Sequence, residues 1–181
     1  LGGAGFVGSR LSTRLQKKDV NFDVYDINTS QAAGRCIYLD IESQNSLDLI
    51  EGASTIVNLA AVHRDDIRPL SRYDDVNVQG SLNVCKAARK HGVNRIIFTS
   101  SVAIFGFAPA DTYESGEPNY FNDYGRTKYL AEQIYKEWQA EDSENRTLVI
   151  VRPTVIFGEG NRGNVYNLLK QIYAGRFVMI G

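Results

Sequence analysis

The sequence predicts an α/β fold, a doubly wound parallel sheet of the Rossmann type. Segments with the strand pattern alternate with segments of helical periodicity along the 181 residues. A glycine-rich stretch, Gly2–Gly8, opens the first helical segment, as loops that bind dinucleotide phosphates do. Far along the chain, Tyr124 and Lys128 stand one helical turn apart. A phosphate-binding loop combined with a phenol and an ammonium group favours hydride-transfer chemistry on an alcohol.

The first elements follow the apolar spacing. Residues 5–18 predict a helix, because apolar side chains recur at helical intervals, at Phe6, Val7, Leu11 and Leu15. Residues 21–26 alternate and predict a short strand, and residues 35–40 predict another. Residues 43–51 predict a short helix with Ser43 as its N-cap.

The middle of the chain continues the alternation. The nearly continuous apolar run at 55–61 predicts a buried strand. Residues 71–91 predict one long helix that stops at Gly92, and residues 95–100 predict the next buried strand. Prolines, a glycine and several acids make residues 107–122 typical of a surface loop.

The last third predicts a helix over 123–140, a strand over 148–152 and a helix over 165–173. We assign residues 1–160 to an NAD-binding Rossmann domain and residues 161–181 to the start of a substrate-binding lobe. The glycine loop normally follows a strand, and the pattern at residues 178–181 stops in the middle of an element. We therefore expect a fragment that lacks the first strand and most of the carboxy-terminal lobe.

Composition narrows the class of protein. The 20 basic and 21 acidic residues give a net charge of −1 with no basic stripe, so we expect no nucleic-acid partner. Cys36 and Cys85 have no metal-ligand spacing, and we favour buried thiols over a disulfide or a metal site. This usage fits the cytoplasm. Neither a membrane span nor a signal peptide is visible.

Each glycine of the loop has a predicted role. Gly2 would allow a tight turn, Gly5 would let a pyrophosphate approach the backbone, and Gly8 would let the helix lie close to the sheet. The helix N-terminus would offer free N–H groups to the phosphates. The alternative is a plain glycine-rich turn.

Two acids end the next two strands. Asp26 lies where a carboxylate binds the ribose 2′-hydroxyl, and it would repel a 2′-phosphate, so NAD is favoured over NADP. Asp40 ends the following strand and could reach the adenine. For both residues the alternative is a solvated turn acid.

Three residues carry the predicted chemistry. Tyr124 and Lys128 share one helix face, and nearby positive charge would lower the phenol pKa enough for general acid/base work. Ser101 follows a predicted strand, at the carboxyl edge where such sheets bind ligands, and its hydroxyl could bond the reacting oxygen. Without the preceding strand and its serine, a Tyr/Lys pair on a helix is more often an exposed pair with no catalytic role.

The chain resembles the extended short-chain dehydrogenase/reductase family, and within it the NAD-dependent epimerase/dehydratase branch that acts on activated sugars. The resemblance covers essentially the whole chain and rests on GGAGFVG, Asp26, NLAA (58–61), DVNVQG (75–80), TSSVAIFG (99–106), YGRTK (124–128) and RPTVIFG (152–158).

The resemblance implies roles for residues. It makes Ser101, Tyr124 and Lys128 catalytic, with Lys128 also on the nicotinamide ribose. The residues it places around NAD, beyond the glycines and the two acids, are Phe6, Val7, Ile41, Leu59, Ala60, Ala61, Asn77, Tyr124, Lys128 and Pro153. The residues it places at the substrate are Ser101, Tyr124, Asn164 and His63. Asn164 is alternatively a helix N-cap, and His63 an exposed loop histidine.

The chain departs from the family pattern at residues 101–105, the segment that starts at the predicted catalytic serine and is called the catalytic turn below. Dehydratases of the family carry an Asp-Glu pair after the catalytic hydroxyl, and this chain has Val102 and Ala103, so dehydration is disfavoured. Ala103 and Phe105 also replace the Thr and Tyr common in UDP-galactose 4-epimerase-like members.

The segments at 60–66 and 161–169 are similar to those of bacterial enzymes that epimerise N-acetylglucosamine on an undecaprenyl diphosphate carrier. We therefore expect an NAD-dependent 4-epimerase of a diphosphate-activated hexose, with N-acetylhexosamine favoured, in polysaccharide biosynthesis. The alternatives are a 4-keto-sugar reductase and a non-catalytic NAD-binding scaffold. A homodimer is the expected assembly.

Overall fold

The computed structural model of the protein describes residues 1–31, 34–64 and 66–177. Asp65 and residues 178–181, which belong to segments interpreted above, lie outside the described residues. The strands within these ranges are β1 Tyr25–Asp26, β2 Ile37–Tyr38, β3 Thr55–Asn58, β4 Arg95–Thr99 and β5 Thr147–Val151. The α-helices there are α1 Phe6–Gln16, α2 Ser71–Tyr73, α3 Gly80–Lys90, α4 Asp123–Ala140 and α5 Asn164–Tyr173. The shorter helical turns are Thr29–Gln31, Ser46–Ile50, Asp74–Gln79 and Val102–Phe105.

Within the described ranges every strand pairing is parallel, which confirms the predicted sheet. β1 pairs with β2, and β4 pairs with both β3 and β5. Residues 1–3 join the two groups: the Leu1 amino group donates to the Val57 carbonyl at 2.8 Å, and the Gly3 N–H donates to the Tyr25 carbonyl at 3.0 Å. Strands β1 and β2 therefore lie on one side of residues 1–3, and β3, β4 and β5 lie on the other. Doubly wound sheets bind ligands at such a point, where the order of the strands reverses.

The main hydrophobic core lies between the sheet and helices α3 and α4. Trp138 and Tyr135 of α4 are fully buried, and the Tyr135 ring packs 4.5 Å from that of Phe98 on β4, centroid to centroid. This packing fixes α4, so the first turn of the helix stands at the carboxyl edge of the strands.

The predicted helix over 71–91 consists of three parts. Its central turn, Asp74–Gln79, is π-helical, and α3 continues from Gly80. A π turn inside a helix commonly marks a functional site, because it turns side chains away from the regular register. Here it carries Asn77, whose contacts are described below.

Some local bounds differ from the prediction. The helical turn predicted at 43–51 covers Ser46–Ile50. Ser43 caps it as predicted, because its hydroxyl accepts from the Ser46 N–H at 3.4 Å and its carbonyl accepts from the Leu47 N–H at 3.3 Å. The strands at 21–26 and 35–40 are also shorter than predicted, with two paired residues in each.

Helix α5 stands apart from the core. None of its described side chains is buried, and Leu169, Ile172 and Tyr173 expose large apolar surfaces. The division between residues 1–160 and 161–181 stays a prediction. Within the described residues, no helix combines the length and apolarity that a membrane crossing requires.

Candidate active site

The glycine-rich loop is shaped by backbone contacts. Gly2 has a φ of +72°, and a Cβ there would lie 2.5 Å from the Ala60 nitrogen. A Cβ at Gly8 would lie 2.5 Å from the Gly3 carbonyl oxygen. A Cβ at Gly5 would meet nothing nearer than the Gly2 carbonyl oxygen at 3.4 Å. The folded chain therefore requires glycine at positions 2 and 8, whereas the space over Gly5 is open.

Helix α1 begins directly on this open space. Its N-cap is Gly5, so no side chain caps the first N–H groups, and its first turn contains no acid. Phe6 and Val7 lie in that turn. The Arg10 guanidinium packs 3.6 Å from the Phe6 ring centre and donates to the Glu159 carbonyl, which holds the loop after β5 over the helix start. Open N–H groups and a positive helix end suit a diphosphate.

The Asp26 carboxylate is fixed beside the loop. One oxygen accepts from the Ala4 N–H at 3.0 Å and the other from the Asn28 N–H at 2.9 Å. A carboxylate oxygen has two acceptor sites, so each oxygen can still receive a hydroxyl. This is the place in the fold where a ribose hydroxyl is expected.

Asp40 and Ile41 lie in the turn after β2. One Asp40 carboxylate oxygen accepts from the Glu42 N–H at 2.9 Å. The Ile41 side chain is buried in the core and faces Gly80, where an added Cβ would lie 2.7 Å from it. Its carbonyl accepts from Asn83 at 3.0 Å. The Ile41 side chain therefore belongs to the core, and the assignment of Ile41 to the cofactor stays a prediction.

The segment after β3 runs along the loop. Leu59 donates its N–H to the Leu1 carbonyl at 2.9 Å, and Ala60 donates to the Asn58 side chain at 3.1 Å. Ala61 follows directly. These backbone bonds set the segment next to Gly2, so its small side chains leave room along the switch point.

Asn77 lies behind this segment. Its amide accepts from the Val62 N–H at 2.8 Å, donates to the Val62 carbonyl at 2.9 Å and donates to the Thr127 hydroxyl at 3.0 Å. The side chain is 3% exposed. Its polar atoms are therefore committed to the protein, and Asn77 orients the cofactor-side segment and helix α4.

Ser101 and Tyr124 meet at the carboxyl edge. The Ser101 side chain caps the turn 102–105 by accepting from the Ala103 N–H at 3.1 Å, and it lies close enough to the Tyr124 hydroxyl to lower the pKa of that phenol. Burial raises the pKa of Tyr124, and Ser101 opposes that rise. The phenol is thus protonated in the protein alone, and nearby positive charge is needed to ionise it.

Gly125 lets the start of helix α4 approach the turn that follows Ser101, and sequence reasoning did not identify this glycine. A Cβ at Gly125 would lie 2.4 Å from the Ala103 carbonyl oxygen, so only glycine lets the first turn of α4 touch the catalytic turn. The Asn122 side chain caps the same turn by accepting from the Gly125 N–H at 2.8 Å. A glycine inside a strong helical pattern was the available signal.

Lys128 lies one turn below Tyr124 and is 2% exposed. Its ammonium packs over the Phe98 ring, 4.3 Å from the centroid, and no described residue accepts a hydrogen bond from it. Burial lowers the pKa of Lys128 to about 7, while the charge of Glu132 raises it. An almost buried ammonium group that packs over an aromatic ring fits the ribose hydroxyls of a bound dinucleotide, which could accept its hydrogen bonds.

The end of β5 reaches the same turn. The Pro153 carbonyl accepts from the Val102 N–H at 3.1 Å. Val102 and Ala103 have no group that exchanges a proton. The catalytic turn therefore offers a single reactive hydroxyl, that of Ser101.

Two residues predicted to bind the substrate, His63 and Asn164, make no described contact with Ser101, Tyr124 or Lys128. His63 is exposed, and its Nδ1 lies 3.5 Å from the Ala61 carbonyl oxygen. Asn164 is exposed at the first position of α5, and the N-cap is Gly163, so the capping alternative was wrong. Gly163 takes that place because its N–H is held by the Asn161 side chain at 2.9 Å.

This fold and site define a Rossmann-type protein with a Ser-Tyr-Lys arrangement at the dinucleotide switch point. The family model described as "NAD dependent epimerase/dehydratase family" matches residues 1–181. The chain belongs to that family.

Relatives extend the comparison. The chain is 46% identical to the N-acetyl-alpha-D-glucosaminyl-diphospho-ditrans,octacis-undecaprenol 4-epimerase of Escherichia coli O157:H7, over 100% of the chain and 55% of that protein. It is 30% identical to a UDP-glucose 4-epimerase of Vibrio cholerae, over 96% of the chain and 56% of that protein. The crystal structure of UDP-glucose 4-epimerase from Brucella ovis in complex with NAD superposes with a TM-score of 0.76 at 27% identity, covering 83% of the chain and 49% of that structure. The chain thus spans about half the length of these relatives.

Proposed function

We propose that this chain is the cofactor-binding part of an NAD-dependent sugar 4-epimerase. Its substrate would be a diphosphate-activated hexose, with a lipid-linked N-acetylhexosamine favoured by the Escherichia coli relative. The observation that carries this proposal is that the Ser101 and Tyr124 side chains interact at the carboxyl edge of the sheet, with the buried Lys128 one turn further along the same helix as Tyr124. We also propose a cytoplasmic location, which the free thiols Cys36 and Cys85 support, and a homodimer, testable by the mass in solution.

The residues that would hold NAD are those around the switch point. The open start of α1 would take the pyrophosphate, Asp26 the adenosine ribose, Asp40 the adenine and Lys128 the nicotinamide ribose. Bound NAD would supply the reversible hydride acceptor. The chain's own residues would do the remaining work on the sugar.

Proton transfer at O4 of the sugar would fall to Tyr124. Ser101 would bond the same oxygen and hold it at the phenol. Lys128 would contribute positive charge that lowers the Tyr124 pKa, which burial alone raises. Return of the proton from the same phenol after the keto-sugar has turned over gives the C4 epimer with no net redox change.

We expect NAD to bind at least tenfold more tightly than NADP. The reason is the fixed Asp26 carboxylate, which would face the charge of a 2′-phosphate. Titrations of both cofactors would measure the ratio, and Asp26→Asn, which keeps the acceptor shape and removes the charge, should narrow it. Equal affinities in the wild-type protein would contradict this assignment.

Epimerisation, not dehydration, is the expected reaction. Loss of water across C5–C6 needs a base for the C5 proton and an acid for the C6 hydroxyl, and Val102 and Ala103 supply neither. Epimerisation needs hydride transfer and proton transfer at O4 alone.

The test is to incubate the whole enzyme with NAD in D₂O and follow C4 by NMR. One sample receives UDP-N-acetylglucosamine and another N-acetylglucosamine on a polyprenyl diphosphate. We expect C4 inversion without deuterium at C4, and faster turnover of the lipid-linked sugar. A 4-keto-6-deoxy product would refute the reaction. Accumulation of a 4-keto-sugar with stoichiometric reduction of NAD to NADH would indicate a reductase running in reverse, and NAD binding without turnover would indicate a scaffold.

A further inference from the structure

We propose that the buried Glu132–Arg152 ion pair is a positioning pair for the reaction: it aligns the helix that carries Tyr124 and Lys128 with the end of β5 and the segment beside the catalytic turn. This inference rests on the proposed function. It adds two residues to that site, neither of which contacts the reacting atoms.

The pair has a fixed geometry. Both carboxylate oxygens of Glu132 accept from the Arg152 guanidinium, from Nε at 2.8 Å and from the terminal Nη2 at 2.7 Å. The Glu132 side chain is 0% exposed and that of Arg152 is 16% exposed. A two-pronged bond between planar groups allows little sliding or rotation, so it fixes direction as well as distance.

Glu132 stands in register with the catalytic residues. Tyr124, Lys128 and Glu132 are spaced four residues apart on α4 and so lie along one face of the helix. Its charge raises the pKa of Lys128 against the effect of burial. The exposed Lys136, one turn further on, lies 3.9 Å away as a second cation.

Arg152 joins this face to the opposite wall of the site. It lies between the last residue of β5 and Pro153, whose carbonyl holds the catalytic turn. Its Nη1 donates to the Glu114 carbonyl at 2.6 Å, and its guanidinium lies 5.1 Å from the Phe105 ring centre. The Arg152 side chain therefore contacts helix α4, the loop at 107–122 and the catalytic turn.

Stability alone is a poor reason for this arrangement. Apolar side chains of similar volume usually stabilise a buried site as well as an ion pair does, because both charges lose their hydration. What an ion pair adds is direction. Here the direction relates the helix bearing the proton-transfer groups to the strand end beside them.

The experiment compares kcat and KM for C4 inversion in the whole enzyme. Glu132→Gln keeps the shape of the side chain and removes its charge; we expect kcat to fall at least tenfold while the NAD dissociation constant changes less than threefold. Arg152→Lys keeps the charge and loses the planar fork; we expect a similar fall in kcat and a higher KM for the sugar, since the contact with Glu114 is lost. The double variant Glu132→Gln/Arg152→Lys should be no more than threefold worse than the poorer single variant.

The matched control is Glu141→Gln. It removes the charge of an exposed carboxylate at the far end of the same helix, which bonds Arg89 in the same two-pronged way at 2.5 and 2.8 Å and Arg146 at 2.7 Å. We expect its kcat to stay within twofold of wild type. A comparable fall in this control would overturn the positioning role.

The other outcomes separate the two proposals. An inactive wild-type enzyme that binds NAD refutes the proposed function. An active wild type with normal kcat in Glu132→Gln refutes the positioning pair alone, as does a fall in kcat that matches the lost fraction of NAD-binding protein. If Glu132→Gln does not fold, Arg152→Lys decides, and normal kcat and KM there overturn the inference.

Discussion

Replacing Tyr124 by Phe in the whole enzyme is expected to lower kcat for C4 inversion by ~10²- to 10⁴-fold, the usual contribution of a general acid/base. Tyr124 interacts with Ser101 at the carboxyl edge of the sheet, and in the proposed reaction its hydroxyl exchanges a proton with O4 of the sugar. The ring and its packing persist in Phe, so NAD affinity should change less than threefold. Steady-state rates and an NAD titration measure both quantities.

A matched variant on the same helix makes this result specific. Tyr129→Phe removes the hydroxyl of another tyrosine and keeps its ring, which lies 6.0 Å from that of Tyr120, centroid to centroid. It should retain the wild-type rate. The assignment of Tyr124 would be wrong if Tyr124→Phe turned over at the wild-type rate, or if both variants lost activity equally.

The helices and the buried strands were predictable because their patterns are local. The helix at Asp123–Ala140 has the predicted bounds, and β4 and β5 begin within one residue of theirs. The π turn at Asp74–Gln79 was not predictable from spacing. It coincides with the bonds of Asn77 to Val62 and Thr127, which join residues far apart in sequence.

In the candidate site, too, local patterns were predictable from the sequence and contacts between distant residues were not. Tyr124 and Lys128 were identified by their spacing, and Ser101 by its place after a predicted strand. Glu132 continues that spacing and was missed, since its significance depends on Arg152, twenty residues further along the chain. Pairing across elements needs the fold, whereas a helical register needs only the sequence.

The glycine loop gives the second large effect, and it separates folding from cofactor binding. Gly8→Ala should destabilise the protein by about 1–3 kcal/mol, the usual cost of overpacking. Its Cβ would lie 2.5–2.7 Å from backbone atoms of Gly3, which cannot rotate away. The helix start would be displaced, so NAD affinity should also fall at least tenfold. Thermal unfolding and an NAD titration measure these changes.

Gly5→Ala is the matched substitution, because the same methyl group enters open space there, 3.4 Å from the Gly2 carbonyl oxygen. The φ of Gly5 is −66°, which alanine adopts without strain. Stability without cofactor should therefore change by less than about 1 kcal/mol, the scale of an N-cap preference. NAD affinity should nevertheless fall at least tenfold, because the methyl group occupies the space where a pyrophosphate would approach the backbone. If Gly5→Ala bound NAD as tightly as wild type, the diphosphate would not lie over this loop, and the cofactor assignments around it would fail together.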